Sequence, residues 1–222
     1  METIRHKLIA SILDGDRVLA NSIIDGFALI HGYEASVSQL LEPVLCDIGD
    51  MWAKDDGVTL AQGYVAGIIA EDVLSKFFSK ENSPLKSFEN KGTVVIGNIE
   101  DDYHSLGRKL VIAALHMSGW QVCDLGNDIL AETFVDKACE LDARVIAVSA
   151  MMYTTAMNIK KIRKEIDRRG LGGHIKLAAG GAVFILRPEL LAEVGGDGTA
   201  RNAFRVPDLI DELWEKSLRK GD

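Results

Sequence analysis

The chain has 222 residues, 47% of them hydrophobic and 26% charged, and a formal net charge of −8. That length suits one large domain or two small ones, and the apolar content supplies a packed core and excludes a disordered chain. The acidic balance argues against nucleic acid and anionic membrane as main partners, because both are bound chiefly through Lys and Arg. No apolar run approaches the roughly 18–20 residues of a membrane span. The opening residues, Met1-Glu2-Thr3-Ile4-Arg5-His6, lack the apolar core and small-residue cleavage site of a secretory signal. A cytoplasmic protein is expected.

The first half reads as helix after helix. Ile4 to Leu13 is apolar at helical spacing and stops at Asp14-Gly15-Asp16. Val18 to His31 follows and ends at Gly32. A third helix runs from Ser36 to Trp52, with Leu40, Leu41, Val44, Ile48 and Met51 on one side, and Asp55-Asp56-Gly57 breaks it. The fourth, Thr59 to Phe78, carries apolar or small residues on more than one face. Short connections between such helices predict an antiparallel four-helix bundle over residues 1–82. From there the pattern dissolves into polar residues around Pro84, a linker by composition at 83–91.

Residues 92–222 alternate between two periodicities. Strands are predicted at Thr93–Ile99, Gln121–Leu125, Arg144–Ser149 and Lys176–Ala179, with a weak fifth near Gly196–Ala200. Helices are predicted at Gly107–Ser118, Ala131–Leu141, Thr155–Arg168, Pro188–Val194 and Pro207–Leu218, the last with proline at a favourable first position. Val-Val-Ile and Val-Ile-Ala-Val runs are those of parallel strands buried on both faces. The fold class is therefore α/β: a helical bundle followed by a flavodoxin-like, doubly wound parallel sheet.

The chemistry concentrates where the first strand gives way to the first helix, at Asp102-Tyr103-His104-Ser105-Leu106-Gly107. Open α/β sheets place ligands beyond the carboxyl ends of their strands. A carboxylate two residues before a histidine can orient the ring and raise its basicity toward a metal, and glycine leaves room beside the backbone. The third strand ends in Ser149-Ala150-Met151-Met152-Tyr153-Thr154-Thr155, with small hydroxyl residues at the same edge. The fourth ends in Gly180-Gly181, and a further glycine-rich turn runs from Gly195 to Ala203.

The pattern D-x-H-x-x-G, then S-x-L, then G-G resembles the cobalamin domain shared by methionine synthase, the cobalamin mutases and corrinoid methyltransferase proteins. Here it reads Asp102 to Gly107, then Ser149-Ala150-Met151, then Gly180-Gly181, the departure being Met151 for leucine, which keeps the contact apolar. Over residues 92–205 the resemblance implies cobalamin bound base-off, its benzimidazole displaced into a slot in the domain. His104 would then be the lower axial cobalt ligand, with Asp102 hydrogen-bonded to its ring. Tyr103, Ser105, Leu106, Met151 and Thr154 would line the cofactor. Ser149 would meet either the benzimidazole or His104, and Gly107, Gly180 and Gly181 would make room for the nucleotide tail. Residues 1–82 resemble the helical cap of corrinoid methyltransferase proteins and methionine synthase through the run Leu41 to Trp52, which implies that Met51 and Trp52 pack on the upper corrin face. Cobalamin-dependent light-sensing repressors place a histidine after the cap tryptophan. This chain has Ala61-Gln62-Gly63-Tyr64 there, which sets that reading aside.

The resemblance implies a corrinoid shuttle of anaerobic one-carbon metabolism, cycling between cob(I)alamin and methylcobalamin. Its partners would be a substrate-specific methyltransferase, an acceptor methyltransferase and a reductive activator. The chain lacks a donor-binding barrel, so the catalytic machinery is expected elsewhere, with 83–91 as a hinge for the cap. The alternatives are a cobalamin sensor or storage module that transfers nothing and, third, the small subunit of a radical mutase. His6, His31, His116 and His174 show no ligand spacing with one another, and Lys160 to Lys164 reads as a solvated helix face. Cys46, Cys123 and Cys139 form no C-x-x-C pair, which leaves buried packing as their expected role.

Overall fold

A computed structural model of the chain describes residues 2–54, 56–77 and 91–219, without the side chains of Trp52, Ala53 and Leu60. The chain divides into two compact units, Met1–Lys86 and Ser87–Asp222. Most of the expected 83–91 linker lies outside the described residues. Among the described residues no helix is long and apolar enough to cross a membrane.

The first unit contains α1 (Glu2–Leu13), α2 (Arg17–Ala35), α3 (Glu42–Ala53) and α4 (Leu60–Phe77). Asp16 caps α2 by accepting a hydrogen bond from Leu19 N (2.9 Å), and Gly15 turns the chain before it with φ 75°. The helical path breaks at Gly32 (φ 83°), as expected, but resumes for one more turn. The helix predicted from Ser36 begins as a wider π-type turn, Ser36–Leu41, before settling into α3. Leu40, Leu41, Val44 and Ile48 are buried with Leu8, Ile12, Ile24, Phe27, Ile69 and Phe77, while Met51 is half-buried. A polar seam joins α2 to α4: Arg17 donates twice to Asp72, and Lys76 bridges Asn21 and Asp25.

The second unit is a four-stranded parallel sheet in the order β2-β1-β3-β4, formed by β1 (Thr93–Asn98), β2 (Gln121–Asp124), β3 (Val145–Ser149) and β4 (Lys176–Gly180). It is the flavodoxin-like arrangement that the sequence predicts. The expected fifth strand is reduced to a single bridge between Ala178 and Gly198. Alternate strand residues go to opposite faces. Val95, Ile146, Val148, Leu177 and Ala179 pack against α6 (Ala131–Glu140), α8 (Ile159–Arg168), α9 (Ala182–Leu186) and α10 (Leu190–Val194). Val94, Ile96, Val145, Ala147 and Ala178 pack against α5 (Ser105–Met117) and α11 (Val206–Leu218). Gly97 is glycine because any Cβ there would lie 2.8 Å from the ring of Phe134, which is fully buried beneath β1.

The helix expected over 155–168 is two pieces, α7 (Tyr153–Ala156) and α8, separated at Met157-Asn158. That break lets the β3–α7 corner serve the site below while α8 serves the core. Cysteine burial is a correction to the expectation: Cys46 and Cys139 are exposed and Cys123 is half-buried, all as free thiols.

Candidate functional site

The sheet order reverses between β1, which has β2 on one side, and β3 on the other. Such a switch point opens a crevice beyond the carboxyl ends of the two strands. The β1–α5 and β3–α7 loops meet there around Asp102. Its carboxylate is fully buried and accepts four hydrogen bonds. Oδ1 takes Asn98 Nδ2 (2.8 Å) and His104 N (3.1 Å), and Oδ2 takes Met151 N (2.7 Å) and Thr155 Oγ1 (2.9 Å). Burial pushes this carboxyl up, but the donors from Met151, His104, Asn98 and Thr155 outweigh it and hold the group below its ordinary value. Asp102 is therefore an anion at neutral pH, with roughly all four of its lone-pair sites in use.

His104 is the residue before α5, and its side chain is 56% exposed. Nδ1 lies 3.5 Å from Asp102 Oδ1. That is an ion-pair distance rather than the hydrogen bond expected from the sequence, because both Asp102 oxygens already accept two donors. The carboxylate orients the histidine through its backbone amide and sets the field at Nδ1. A proton on Nδ1 is favoured, which leaves the Nε2 lone pair for a ligand. Nε2 makes no hydrogen bond among the described residues.

Three residues of this network were not singled out from the sequence. Thr155, rather than the exposed Thr154, supplies the hydroxyl to Asp102. Asn98 at the end of β1 is completely buried and donates to both Asp102 and His104 O (3.1 Å). Arg108, in the first turn of α5 and 5% exposed, donates through Nη1 to Asn98 Oδ1 (2.9 Å) and Asn127 Oδ1 (2.5 Å). Its Nε sits 3.0 Å from Asp124 Oδ1, a charge pair without an aligned hydrogen bond. A buried Asn four residues before an Asp was readable as a signal, but only the fold brings Arg108 behind it.

A second layer pins the loop. Asp128 accepts from Asp101 N (2.8 Å) and from the Tyr103 hydroxyl (2.8 Å), and Asp128 N donates to Asp102 O (3.2 Å). Hydrogen bonding to Asp128 raises the Tyr103 phenol above its ordinary value. Ser149 lies at the end of β3 between Asn98 and Gly180, and its hydroxyl makes no hydrogen bond among the described residues. Ser105 and Leu106 are half-exposed at the start of α5.

The glycines separate by role. A Cβ at Gly107 or Gly180 would meet nothing, so both face open space. Gly181 has φ 115° and a Cβ there would collide with Ala150 O. Its smallness is thus taken up by the protein's own backbone, and the room for a bulky ligand is at Gly107 and Gly180. Met51 belongs to the other unit, and the Trp52 side chain lies outside the described residues.

Among the described residues no set of three His, Cys, Asp or Glu side chains converges to hold a metal ion. A metal at His104 must therefore bring most of its own ligands. A corrinoid does that and asks the protein for a single imidazole. The free Nε2, the anion behind Nδ1 and the open space at Gly107 and Gly180 fit such a group.

Residues 92–207 match the family described as the B12 binding domain. A trimethylamine corrinoid protein of Methanosarcina mazei is 40% identical over 122 residues, which are 55% of this chain and 54% of that protein. The chain thus spans about half the length of that curated relative. The monomethylamine corrinoid protein of Methanosarcina barkeri is a solved structure with TM-score 0.75 at 23% identity, covering 96% of this chain and 99% of that one. A chain of the methanol:cobalamin methyltransferase complex from Methanosarcina barkeri aligns with TM-score 0.53 at 21% identity, covering 98% of this chain and 83% of that one. At these identities the two structures speak for the fold.

Proposed function

This chain belongs to the B12-binding domain family, and from that premise we propose that it is a corrinoid shuttle, passing a methyl group from a substrate-specific methyltransferase to an acceptor methyltransferase. When bound, the corrinoid supplies a cobalt centre able to take up and release a methyl group. Every other part of the reading concerns the chain's own residues. His104 offers Nε2 as lower axial ligand, with the cofactor held base-off. Asp102 keeps the imidazole in the tautomer that exposes that lone pair, and Thr155, Met151 and Asn98 keep Asp102 ionised. Gly107 and Gly180 leave room for the nucleotide tail, and Ser149 offers a free hydroxyl beside them.

The observation that carries the proposal is one geometry: a buried, four-fold hydrogen-bonded carboxylate 3.5 Å behind an exposed imidazole whose other nitrogen is free. The likeness to a trimethylamine corrinoid protein makes a methylamine methyltransferase the first partner to assay. A reductive activator and a cytoplasmic location belong to the same scheme. So do the assignment of Met51 and Trp52 to the corrin and the division into a cap at 1–82, a linker at 83–91 and a cobalamin domain at 92–222.

The test is reconstitution of the full chain with hydroxocobalamin, two-electron reduction of its Co(III) to Co(I) by added titanium(III) citrate, and then methylation with a supplied methylamine methyltransferase and its substrate. We expect a base-off spectrum and methyl uptake that needs the methyltransferase. A chain that binds no cobalamin sinks the reading. A chain that binds it but is methylated by no supplied partner points instead to a sensor or storage module.

A further inference from the structure

Arg108 is an unusual residue to bury in the first turn of a helix. A guanidinium is strongly hydrated, and removing it from water is costly unless its donors are matched. Here the matching partners are neutral or half-exposed: Asn98 Oδ1, Asn127 Oδ1 and the Asp124 carboxylate. The first of these has a directional consequence. Arginine has donors and no acceptor. Its contact with Asn98 therefore fixes which way the Asn98 amide faces, with Oδ1 toward Arg108. The Asn98 NH2 group is then committed to the other side, where its two hydrogens reach Asp102 Oδ1 at 2.8 Å and His104 O at 3.1 Å. With the amide reversed, its oxygen would face the Asp102 carboxylate and the His104 carbonyl, three acceptors with no proton among them.

We propose that Arg108, acting through the Asn98 amide, is a positioning residue for His104: it sets the amide direction that holds both the Asp102 carboxylate and the His104 backbone in place. This rests on the reading of His104 as the axial ligand. The chain of contacts runs Arg108 Nη1 to Asn98 Oδ1, Asn98 Nδ2 to Asp102 Oδ1 and His104 O, and Asp102 Oδ1 to the His104 amide. Arg108 touches neither ligand atom nor cofactor in this scheme. Its contact with Asn127, by contrast, ties α5 to the β2–α6 loop, and Asn127 Nδ2 carries that tie on to Tyr103 O (3.5 Å) without touching Asn98 or Asp102.

The experiment uses the full chain loaded with cobalamin, reduced to the paramagnetic cob(II) state, and prepared with natural or nitrogen-15 histidine. Electron paramagnetic resonance then reads coordination directly, since an axial histidine splits each cobalt line into three with nitrogen-14 and two with nitrogen-15. Wild type is expected to give the isotope-dependent splitting throughout. Arg108→Gln is expected to lower the ratio of histidine-coordinated to uncoordinated cofactor on the order of tenfold, the low end for outer-layer partners of a metal ligand. Asn127→Ala cuts the ties to Arg108 and to the Tyr103 carbonyl, leaves the Asn98 contact, and is expected to keep the wild-type spectrum. Arg108→Lys, which retains a donor to Asn98, is expected to restore most of the histidine signal.

If wild type shows no isotope-dependent splitting, His104 is not the axial ligand and the proposed function fails at that point. If wild type shows it and folded Arg108→Gln shows it undiminished, the positioning role alone is wrong. An equal loss in Asn127→Ala overturns it too, because the role would then be general loop stapling. Should Arg108→Gln not fold, Asn98→Ser breaks the same link from its other end and is read by the same two outcomes.

Discussion

The sheet carries a histidine–aspartate pair at each end, and the two pairs differ in everything except residue type. At the carboxyl edge, His104 Nδ1 stands 3.5 Å from an Asp102 side chain with no exposure, and Nε2 is free. At the opposite edge, His174 Nε2 stands 3.4 Å from an Asp142 side chain that is 84% exposed, and Nδ1 faces Arg144 Nη1 at 3.3 Å. His174 has both nitrogens engaged and a partner screened by water. His104 has one nitrogen held by a desolvated anion and the other available. On the proposed reading, what fits His104 and not His174 for a ligand is a carboxylate fixed by other donors together with a second nitrogen left open.

The sharpest way to break that contrast is to remove each imidazole. His104→Ala is expected to lower methyl transfer on the order of 100-fold and to abolish the histidine-coordinated spectrum. His174→Ala is expected to leave both unchanged, which spectral titration and a methyl-transfer assay check together. Comparable losses in the two variants would remove the distinction.

Next in size is the stability carried by each carboxylate. Asp102→Ala strands buried donors from Asn98, Thr155 and two backbone amides, and is expected to cost about 3 kcal/mol in urea unfolding. Asp142→Asn keeps the positive φ of 48° accessible and changes an exposed group, so an effect within about 0.5 kcal/mol is expected.

The acid limb of stability sharpens the comparison further. Asp102 is held below its ordinary value, so the folded state protonates it less readily than the unfolded chain does. Its contribution is fully present above the unfolded value of about 3.9 and is lost as pH falls through the lower folded value. Asp102→Asn is expected to flatten the fall in stability over that window, as thermal melts between pH 5 and the acid transition would register. An unchanged acid limb would mean that Asp102 is not strongly held.

The smallest expected effect concerns the pinned loop. Tyr103→Phe removes one exposed hydrogen bond to Asp128 and is expected to leave the urea midpoint and the histidine-coordinated spectrum nearly unchanged. A loss of histidine coordination in this variant would show that the loop, rather than the buried network, positions His104.

Much of this could be read before the fold was known, and the failures share a cause. Strand positions, sheet class and the Asp102–His104–Gly107 corner follow from hydrophobic runs and a motif whose residues lie close in sequence. Thr155 was missed in favour of its neighbour Thr154 because one residue's shift at a helix start decides which hydroxyl turns inward, and that is set by packing of α7 on Asp102. Arg108 was passed over because a cation near a helix start normally reads as solvated. Only the adjacency of β1, β2 and α5 closes Asn98 and Asn127 around it. The fifth strand failed for a related reason: Gly196 and Gly198 leave no room for a Cβ beside Leu191 and Leu209, so the segment is shaped by close approach of neighbouring side chains more than by pairing.

The central claim is that His104 Nε2, backed by Asp102, is the lower axial ligand of a base-off corrinoid. A crystal structure of the cobalamin-loaded chain tests it most directly. The account predicts Nε2 of His104 within bonding distance of cobalt and the benzimidazole displaced. Benzimidazole still on cobalt, with His104 turned away from the metal, would contradict it.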